Sequence, residues 1–482
     1  MNTFFKNLHC KNAERTVYER ILELNSSNND DGLEENEIAF GDGAIRFGDG
    51  MMDRMPFLKQ SVSRRRLNGL IESLALGAAG KSDAAFRKLK RTPLHKGVRW
   101  ADISDDVRPF VEDNSEMILT PGMHTFLRMI FLKSTVLEEV KMALDLYGLF
   151  QTSDEEADEV ILNYAKSSEF ALMAMPLVKR MKNGNQILFE IARDTTGGGR
   201  VTAAELLDPE TKEIEDWIFR EGTDPFLSFY YSSVNISKKC NLPERMCDSA
   251  LTDEDYYLIC RIVYGYYEEG YAEGLDTLDQ RPILEAFFAL CESRIRPFSI
   301  DILCCLQERL DEIEKMSRYG LIPEAVYCRE QCERILNSDR VHTEIEKHVR
   351  QGEWMHCGRV LGMLDDSLVL AAIQKDPEEN FMCLDYLTDR YSKKEALDIY
   401  LNSPFREKLS QDDRLMEMTA LNILRTSSEL GIINEEYFDA VISMNHFLLS
   451  NIAANIVKGQ HEKGAAVSES LFQKAEQYGL KL

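Results

Sequence analysis

The densest group of possible metal ligands lies between residues 342 and 357. It contains His342, His348, His356 and Cys357, and imidazole nitrogen and thiolate sulfur are ligands that zinc prefers. His342 and His348 are six residues apart, which places them on different faces of a helix, and no CxxC or HExxH motif accompanies them. Cys357 neighbours His356 in sequence only, whereas a nucleophile needs a base in space. We therefore predict no metal, no cofactor and no catalytic residue.

Two other segments imitate ligand-binding loops. Gly77 to Ser82 resembles the end of a phosphate-binding loop, but only two residues follow the first glycine before Gly80-Lys81, whereas four are required after a strand. The tract that begins at Ser27 has a glycine at the sixth place of a calcium loop. Ser27 and Ile38 occupy positions that need an acidic ligand and a bidentate glutamate. Neither segment predicts a bound nucleotide or calcium ion.

A triple glycine followed by arginine allows two interpretations. Gly197, Gly198, Gly199 and Arg200 stand at the start of a helical pattern, where free backbone amides and a guanidinium could bind an anion. Consecutive glycines could equally end one helix and let the next one pack closely. The second interpretation is favoured, and the four residues stay a candidate anion site.

Tyrosines are concentrated in one part of the chain. Eight of the 18 tyrosines lie between residues 226 and 271. Tyrosine is rigid, amphipathic and enriched at protein interfaces, but it also packs between helices. The two interpretations are a partner-binding surface and a packed core. Five of these residues are the candidates for partner binding: Tyr256, Tyr257, Tyr264, Tyr267 and Tyr271.

Composition excludes some classes of function. The chain carries 57 Lys+Arg against 82 Asp+Glu, a formal net charge of −25, which opposes non-specific binding to nucleic acid or an anionic membrane. Its 11 cysteines in 482 residues do not form a small disulfide framework, and the N-terminus lacks the apolar region of a signal peptide. Residues 440–457 contain no charge but include several polar side chains, which predicts a buried core helix. We predict a cytoplasmic protein.

Residues 52–100 reverse this charge balance. They contain twelve basic and three acidic residues, and three interpretations compete. The segment docks on an acidic face of its own chain, binds a protein partner, or binds nucleic acid. Docking within the chain is favoured.

Helical periodicity is the dominant pattern of the sequence. Residues 184–222 contain three short helical runs, and none of them could bury its apolar face alone. Thr120-Pro121, Ser134, and Ser153 with Glu156 are typical of helix N-termini. Residues 38–50 contain FGDG twice and predict a small β-hairpin. We predict an all-α fold, an irregular HEAT/armadillo-like α-solenoid of antiparallel helix pairs (residues 104–482), after an N-terminal region (residues 1–103) that carries the hairpin.

The segment GGGRVTAAELLDPETKEIEDWIFREG resembles one in an uncharacterised group of bacterial proteins with HEAT-like helical repeats. The resemblance covers about forty residues, implies a fold rather than an activity, and brings no catalytic residues. Members often carry tryptophan where this chain has Gly198. The matching positions are Gly197, Gly199, Arg200, Glu205, Leu206, Pro209, Glu210, Thr211, Ile214, Trp217 and Gly222.

These observations favour a non-enzymatic scaffold that binds another protein. One alternative is a HEAT-like enzyme acting on nucleic acid, which would use the basic residues 52–100. Another is an immunity or defence protein whose acidic surface binds a basic partner.

Overall fold

A computed structural model describes residues 15–27, 37–40, 43–46, 64–92, 98–150, 154–223, 229–318, 320–375, 414–444 and 447–478, with isolated positions 53, 62, 94, 383, 386, 387, 395, 396 and 399. The fold is all-α. Two short strands, β1 Glu37–Phe40 and β2 Gly43–Arg46, pair as a two-stranded sheet at the place where the sequence predicts a hairpin. The second FGDG lies outside the described residues.

The chain divides into two compact units. Unit 1 contains residues 1–37, 46–228 and 235–240. Its helices are α1 Val17–Ser27, α2 Arg64–Ala78, α3 Ser82–Leu89, α4 Ser104–Asp113, α5 Ser115–Ile118, α6 Pro121–Lys133, α7 Leu137–Tyr147, α8 Glu155–Ala165, α9 Ala171–Lys179, α10 Gly184–Asp194, α11 Gly197–Leu206 and α12 Lys212–Glu221. Helix α13, Ser233–Lys239, has residues in both units.

Unit 2 contains residues 38–45, 229–234 and 241–482. Its helices are α14 Leu242–Met246, α15 Asp253–Gly265, α16 Gln280–Ser293, α17 Pro297–Met316, α18 Pro323–Leu336, α19 Asp339–Val349, α20 Met355–Val360, α21 Asp366–Lys375, α22 Arg414–Leu430, α23 Glu435–Ser443, α24 Phe447–Glu462 and α25 Glu469–Tyr478.

Helix starts follow the capping chemistry in most places. Thr120 Oγ accepts a hydrogen bond from Met123 N–H at 3.2 Å, and Pro121 opens α6, as predicted. Two predicted caps are wrong. The cap of α8 is Asp154, which accepts from the Glu156 and Ala157 amides. The cap of α7 is Val136, not Ser134, because the helix begins at Leu137. Ser134 Oγ accepts from the Val136 N–H at 3.1 Å, two residues before the observed cap.

The uncharged run at residues 440–457 is not one helix. It is divided between α23 and α24. Both helices bury apolar side chains, including Val441, Ile442 and Val457. Within the described ranges, no helix has the length and apolar character needed to cross a bilayer.

The basic residues 52–100 pack through apolar side chains. Helices α2 and α3 contact each other and α6, and they bury Leu70, Leu74 and Leu89. The described ion pairs of this segment's basic residues are Lys88 with Glu72 and Arg99 with Asp102, which are local. The described part of the segment therefore packs on its own chain, through apolar side chains, and docking on an acidic face stays a prediction. The predicted domain boundary at residues 103/104 falls inside unit 1.

Helix α17 is the longest described helix and packs against four other helices of unit 2. It contacts α15, α18, α19 and α20. Pro297 occupies the first turn, where no amide is needed, and Ser299 Oγ accepts from Arg296 N–H at 3.1 Å. The buried face of α17 includes Leu303, Leu306 and Leu310. Its position lets one helix present side chains to several others.

Candidate functional site

One face of α17 carries three side chains that could do chemistry. Asp301, Cys305 and Glu308 occupy positions i, i+4 and i+7, which share a side of an α-helix. All three are partly exposed, so the face is open to solvent. The capped start of α17 fixes the register, because Asp301 follows the first turn directly.

Helix α20 brings His356 to this face. Trp354 precedes the helix with φ of +52°, a left-handed conformation that costs a non-glycine residue about 1 kcal/mol or more. Inside α20, Gly358 is required by packing, since an added Cβ would lie 2.7 Å from Leu364 and 2.9 Å from Val349. The absence of a side chain at Gly358 lets α20 pack closely on Val349 of α19. In this position α20 also contacts α17, and His356 lies against it.

His356 lies between two carboxylates. Its Nδ1–H donates to Asp301 Oδ1 at 2.8 Å, and its Nε2–H donates to Glu308 Oε2 at 2.9 Å. Cys305 Sγ lies 3.8 Å from Nδ1. Arg359 pairs with Glu308, with N–O distances of 2.8 and 2.9 Å. Both ring nitrogens of His356 are therefore hydrogen-bonded, Nδ1 to Asp301 and Nε2 to Glu308.

The hydrogen bonds and ion pairs of this group favour the charged forms of His356 and Glu308. Burial alone would lower the pKa of His356, but hydrogen bonds with Asp301, Cys305 and Glu308 raise it to about 12. Burial would raise the pKa of Glu308, yet His356 and Arg359 lower it below its ordinary value. Burial raises the pKa of the Cys305 thiol. Without a metal, the group is an imidazolium between two carboxylates, beside a protonated thiol.

This arrangement does not fit a cysteine nucleophile. A general base must accept the thiol proton, whereas His356 is itself protonated and Cys305 shares Nδ1 with Asp301. The donor set fits a metal better. Asp301, Cys305 and His356 form the one set of three such donors within the described residues whose ligand atoms all lie within 4.8 Å of one another.

Only part of this group could be predicted from the sequence. His356 is among the candidate metal ligands there, but the residues next to it in sequence are not its partners in space. His348 pairs with Glu353 instead, and the Cys357 thiol is buried. Asp301, Cys305 and Glu308 were missed because they lie about fifty residues upstream. Their i, i+4, i+7 spacing was the only sequence feature that could have indicated a shared helix face.

The tyrosine candidates divide between core and surface. Tyr256 and Tyr267 are completely buried, and Tyr267 Oη donates to Gln280 at 3.1 Å, so partner binding does not fit these two. Tyr264 is half-buried. Tyr271 is also half-buried, and its hydroxyl accepts from the Ile322 amide. Only Tyr257 among the five is largely exposed, at 43%.

A second exposed tyrosine, Tyr231, lies in the same tyrosine-rich stretch of unit 2. Tyr231 is 52% exposed, and its hydroxyl lies 3.4 Å from Glu269. Tyr257 follows Glu254, and both glutamates are exposed. Each exposed tyrosine of unit 2 in this stretch therefore stands beside an exposed carboxylate.

The triple glycine is used for packing. An added Cβ on Gly199 would lie 2.8 Å from Ser168 Oγ and 3.2 Å from its Cα. Gly197–Gly199 begin α11, whereas the preceding helix already ends at Asp194. The prediction that the glycines stop that helix is wrong. Arg200 pairs with Glu221 at 3.3 Å, which occupies the guanidinium that an anion would need.

Unit 1 contains a buried charge cluster that the sequence did not indicate. Lys141 Nζ lies 2.7 Å from Asp53, 3.2 Å from Glu138 and 2.5 Å from Glu169. Glu138 also accepts from the Trp100 amide at 2.5 Å. The Lys141 side chain is 3% exposed, so no substrate can reach it. We interpret the cluster as structural.

Comparison of the chain with known protein families, curated proteins and solved structures finds no match. Within the described residues, the fold is all-α and carries one donor cluster, formed by Asp301, Cys305 and His356, together with the exposed side chains of Tyr231 and Tyr257.

Proposed function

We propose that the protein is a non-enzymatic scaffold in the cytoplasm that binds another protein. Its helices stack in this proposal as an irregular HEAT-like or armadillo-like solenoid of antiparallel pairs, an architecture that offers extended binding surfaces. The all-α fold supports this architecture. Free thiols at every described cysteine support a reducing compartment.

The exposure of Tyr231 and Tyr257 carries the proposal. Large aromatic side chains at the surface are enriched where proteins bind each other, and they contribute much of the binding energy. The core tyrosines of the same stretch are satisfied by packing and hydrogen bonds. The two exposed ones each rest one ring edge against an aromatic neighbour, Tyr231 against Tyr230 and Tyr257 against Phe298, and leave about half of the side chain accessible to a partner.

The charge of the surroundings selects the kind of partner. Glu254 and Glu269 flank the two tyrosines, and the whole chain has a net charge of −25. A partner with a basic surface is complementary and would associate faster at low salt. An immunity or defence protein that masks a basic partner would use the same chemistry.

Replacing both tyrosines tests the proposal. We expect full-length tagged protein with Tyr231→Ser and Tyr257→Ser to recover at least about tenfold less partner than the wild type, because each exposed anchor contributes on the order of 1 kcal/mol or more. Both side chains lie outside the core, so circular dichroism should not change. The measurement is quantitative mass spectrometry of co-purified proteins.

The matched control is Met316→Ser, which removes another exposed apolar side chain of unit 2, 70% exposed. We expect it to recover the partner as well as the wild type does. Equal recovery by the double tyrosine variant would refute the proposed surface.

Arg87 and Arg91 are exposed and favour the second candidate, an enzyme acting on nucleic acid. Recovery that disappears after nuclease treatment would support that candidate instead.

A further inference from the structure

We propose that Asp301, Cys305 and His356 bind one Zn²⁺ ion, with Glu308 fixing the imidazole from its far side. The ion lies between α17 and α20 and receives one carboxylate oxygen, one thiolate sulfur and the Nδ1 nitrogen. A water molecule completes four-coordination. The site is independent of the tyrosines of the proposed function.

The donor atoms all lie within 4.8 Å of one another, and one of the distances between them is already close to that around a tetrahedral ion. Zinc bonds of about 2.0 to 2.3 Å place neighbouring ligand atoms about 3.3 to 3.7 Å apart. Cys305 Sγ and His356 Nδ1 are 3.8 Å apart, which needs almost no movement. Asp301 Oδ1 and His356 Nδ1 are 2.8 Å apart as a hydrogen-bonded pair. Rotation of one carboxylate opens that distance when the ion replaces the proton.

The chemistry of the donors selects zinc. A thiolate together with an imidazole is a soft to borderline set that suits Zn²⁺, whereas Mg²⁺ and Ca²⁺ need oxygen ligands. Three protein ligands leave a fourth position for water. Cys357 is not part of the set, and its buried thiol donates to Asp301 Oδ1 at 3.5 Å.

The support behind His356 is typical of a metal site. Zinc-bound histidines usually donate their second ring N–H to a carboxylate, which orients the ring and strengthens the ligand. Glu308 accepts that bond from Nε2 at 2.9 Å, and Arg359 fixes Glu308 in turn. The Nδ1 side of the ring faces Asp301 and Cys305.

A metal-free salt bridge is the competing explanation. In that case the Nδ1 proton stays on His356 and is shared with Asp301, and no ion binds. Zinc binding instead displaces this proton and the thiol proton of Cys305, so two protons leave per ion and no electron is transferred. The two explanations therefore differ in a measurable proton release.

Titration of the full-length chain with zinc chloride tests the site. After treatment with a chelator and a phosphine reductant, we expect calorimetry to show about one ion per chain. Binding of the ion should release about two protons from the protein. Their number is measured by repeating the titration in buffers of different ionisation enthalpy. Cobalt added to the wild type should give a thiolate-to-metal charge-transfer band. This last result needs no substitution, so it stands even if a variant folds poorly.

Substitutions locate the ion. Cys305→Ser and His356→Asn should each weaken zinc binding at least about 100-fold, and Glu308→Gln should weaken it about 10- to 100-fold. Cys247→Ser and His342→Gln remove a thiol and an imidazole outside the site and should leave the affinity unchanged. Absence of zinc binding by the wild type would overturn the proposal. So would unchanged affinity in Cys305→Ser and His356→Asn.

Discussion

Replacing Lys141 with methionine is expected to lower the free energy of unfolding by about 3 to 5 kcal/mol. Methionine keeps the approximate length of the side chain but removes the ammonium that pairs with Asp53, Glu138 and Glu169. These carboxylates are buried, so water cannot compensate for the lost charge. The loss should appear as a lower urea midpoint with an unchanged slope.

Lys133→Met is the matched control for this prediction. Lys133 is exposed on the neighbouring helix α6, and its replacement should change the unfolding free energy by less than about 0.5 kcal/mol. The loss in Lys141→Met should also shrink at low pH, because protonation neutralises the three carboxylates. A Lys141→Met protein as stable as the wild type would show that the cluster does not depend on its cation.

Replacing Glu138 with glutamine should remove a pH dependence of stability. Burial raises the pKa of Glu138 from 4.5 to about 7, with Asp53 and Glu169 adding to the effect and Lys141 opposing it. The folded state therefore binds more protons than the unfolded state between these values. The contribution of Glu138 to stability is present below about pH 4.5 and is lost as the pH rises through about 7.

The measurement is urea unfolding of wild type and Glu138→Gln at several pH values. The stability of the wild type relative to the variant should fall by about 2 kcal/mol between about pH 5 and about pH 8, since one pKa unit corresponds to about 1.4 kcal/mol. Glu116→Gln, at an exposed position of α5, should show no such trend. A difference that stays constant or rises with pH would refute the raised pKa.

Local features of the fold could be predicted from the sequence. Thr120-Pro121 opens a helix because a hydroxyl and a proline satisfy the first turn, whatever the rest of the chain does. The three runs of residues 184–222 are helices α10 to α12, and Thr211 caps the last of them. These features depend on neighbours within a few residues. The HEAT-like solenoid depends on how the helices stack, and it stays a prediction.

The candidate metal site could not be predicted, because its members are distant in sequence. Asp301 and His356 meet only after α17, α19 and α20 have packed, and Lys141 meets Asp53 in the same way. The partners of His356 lie on α17 and not beside it in the sequence. Gly199-Arg200 and Gly358-Arg359 are the same pair of residues in two different helices, α11 and α20. Both glycines permit close packing, and both arginines pair with a glutamate on another helix.

Carbodiimide cross-linking in lysate tests the proposed function most directly. This reagent joins carboxylates to lysines in contact, so a basic partner bound at the tyrosines should be coupled to Glu254 and Glu269. We expect peptides containing these glutamates to carry the partner's lysine peptides, and to lose them in the Tyr231→Ser, Tyr257→Ser variant. Cross-links confined to unit 1, or unchanged in that variant, would contradict the account.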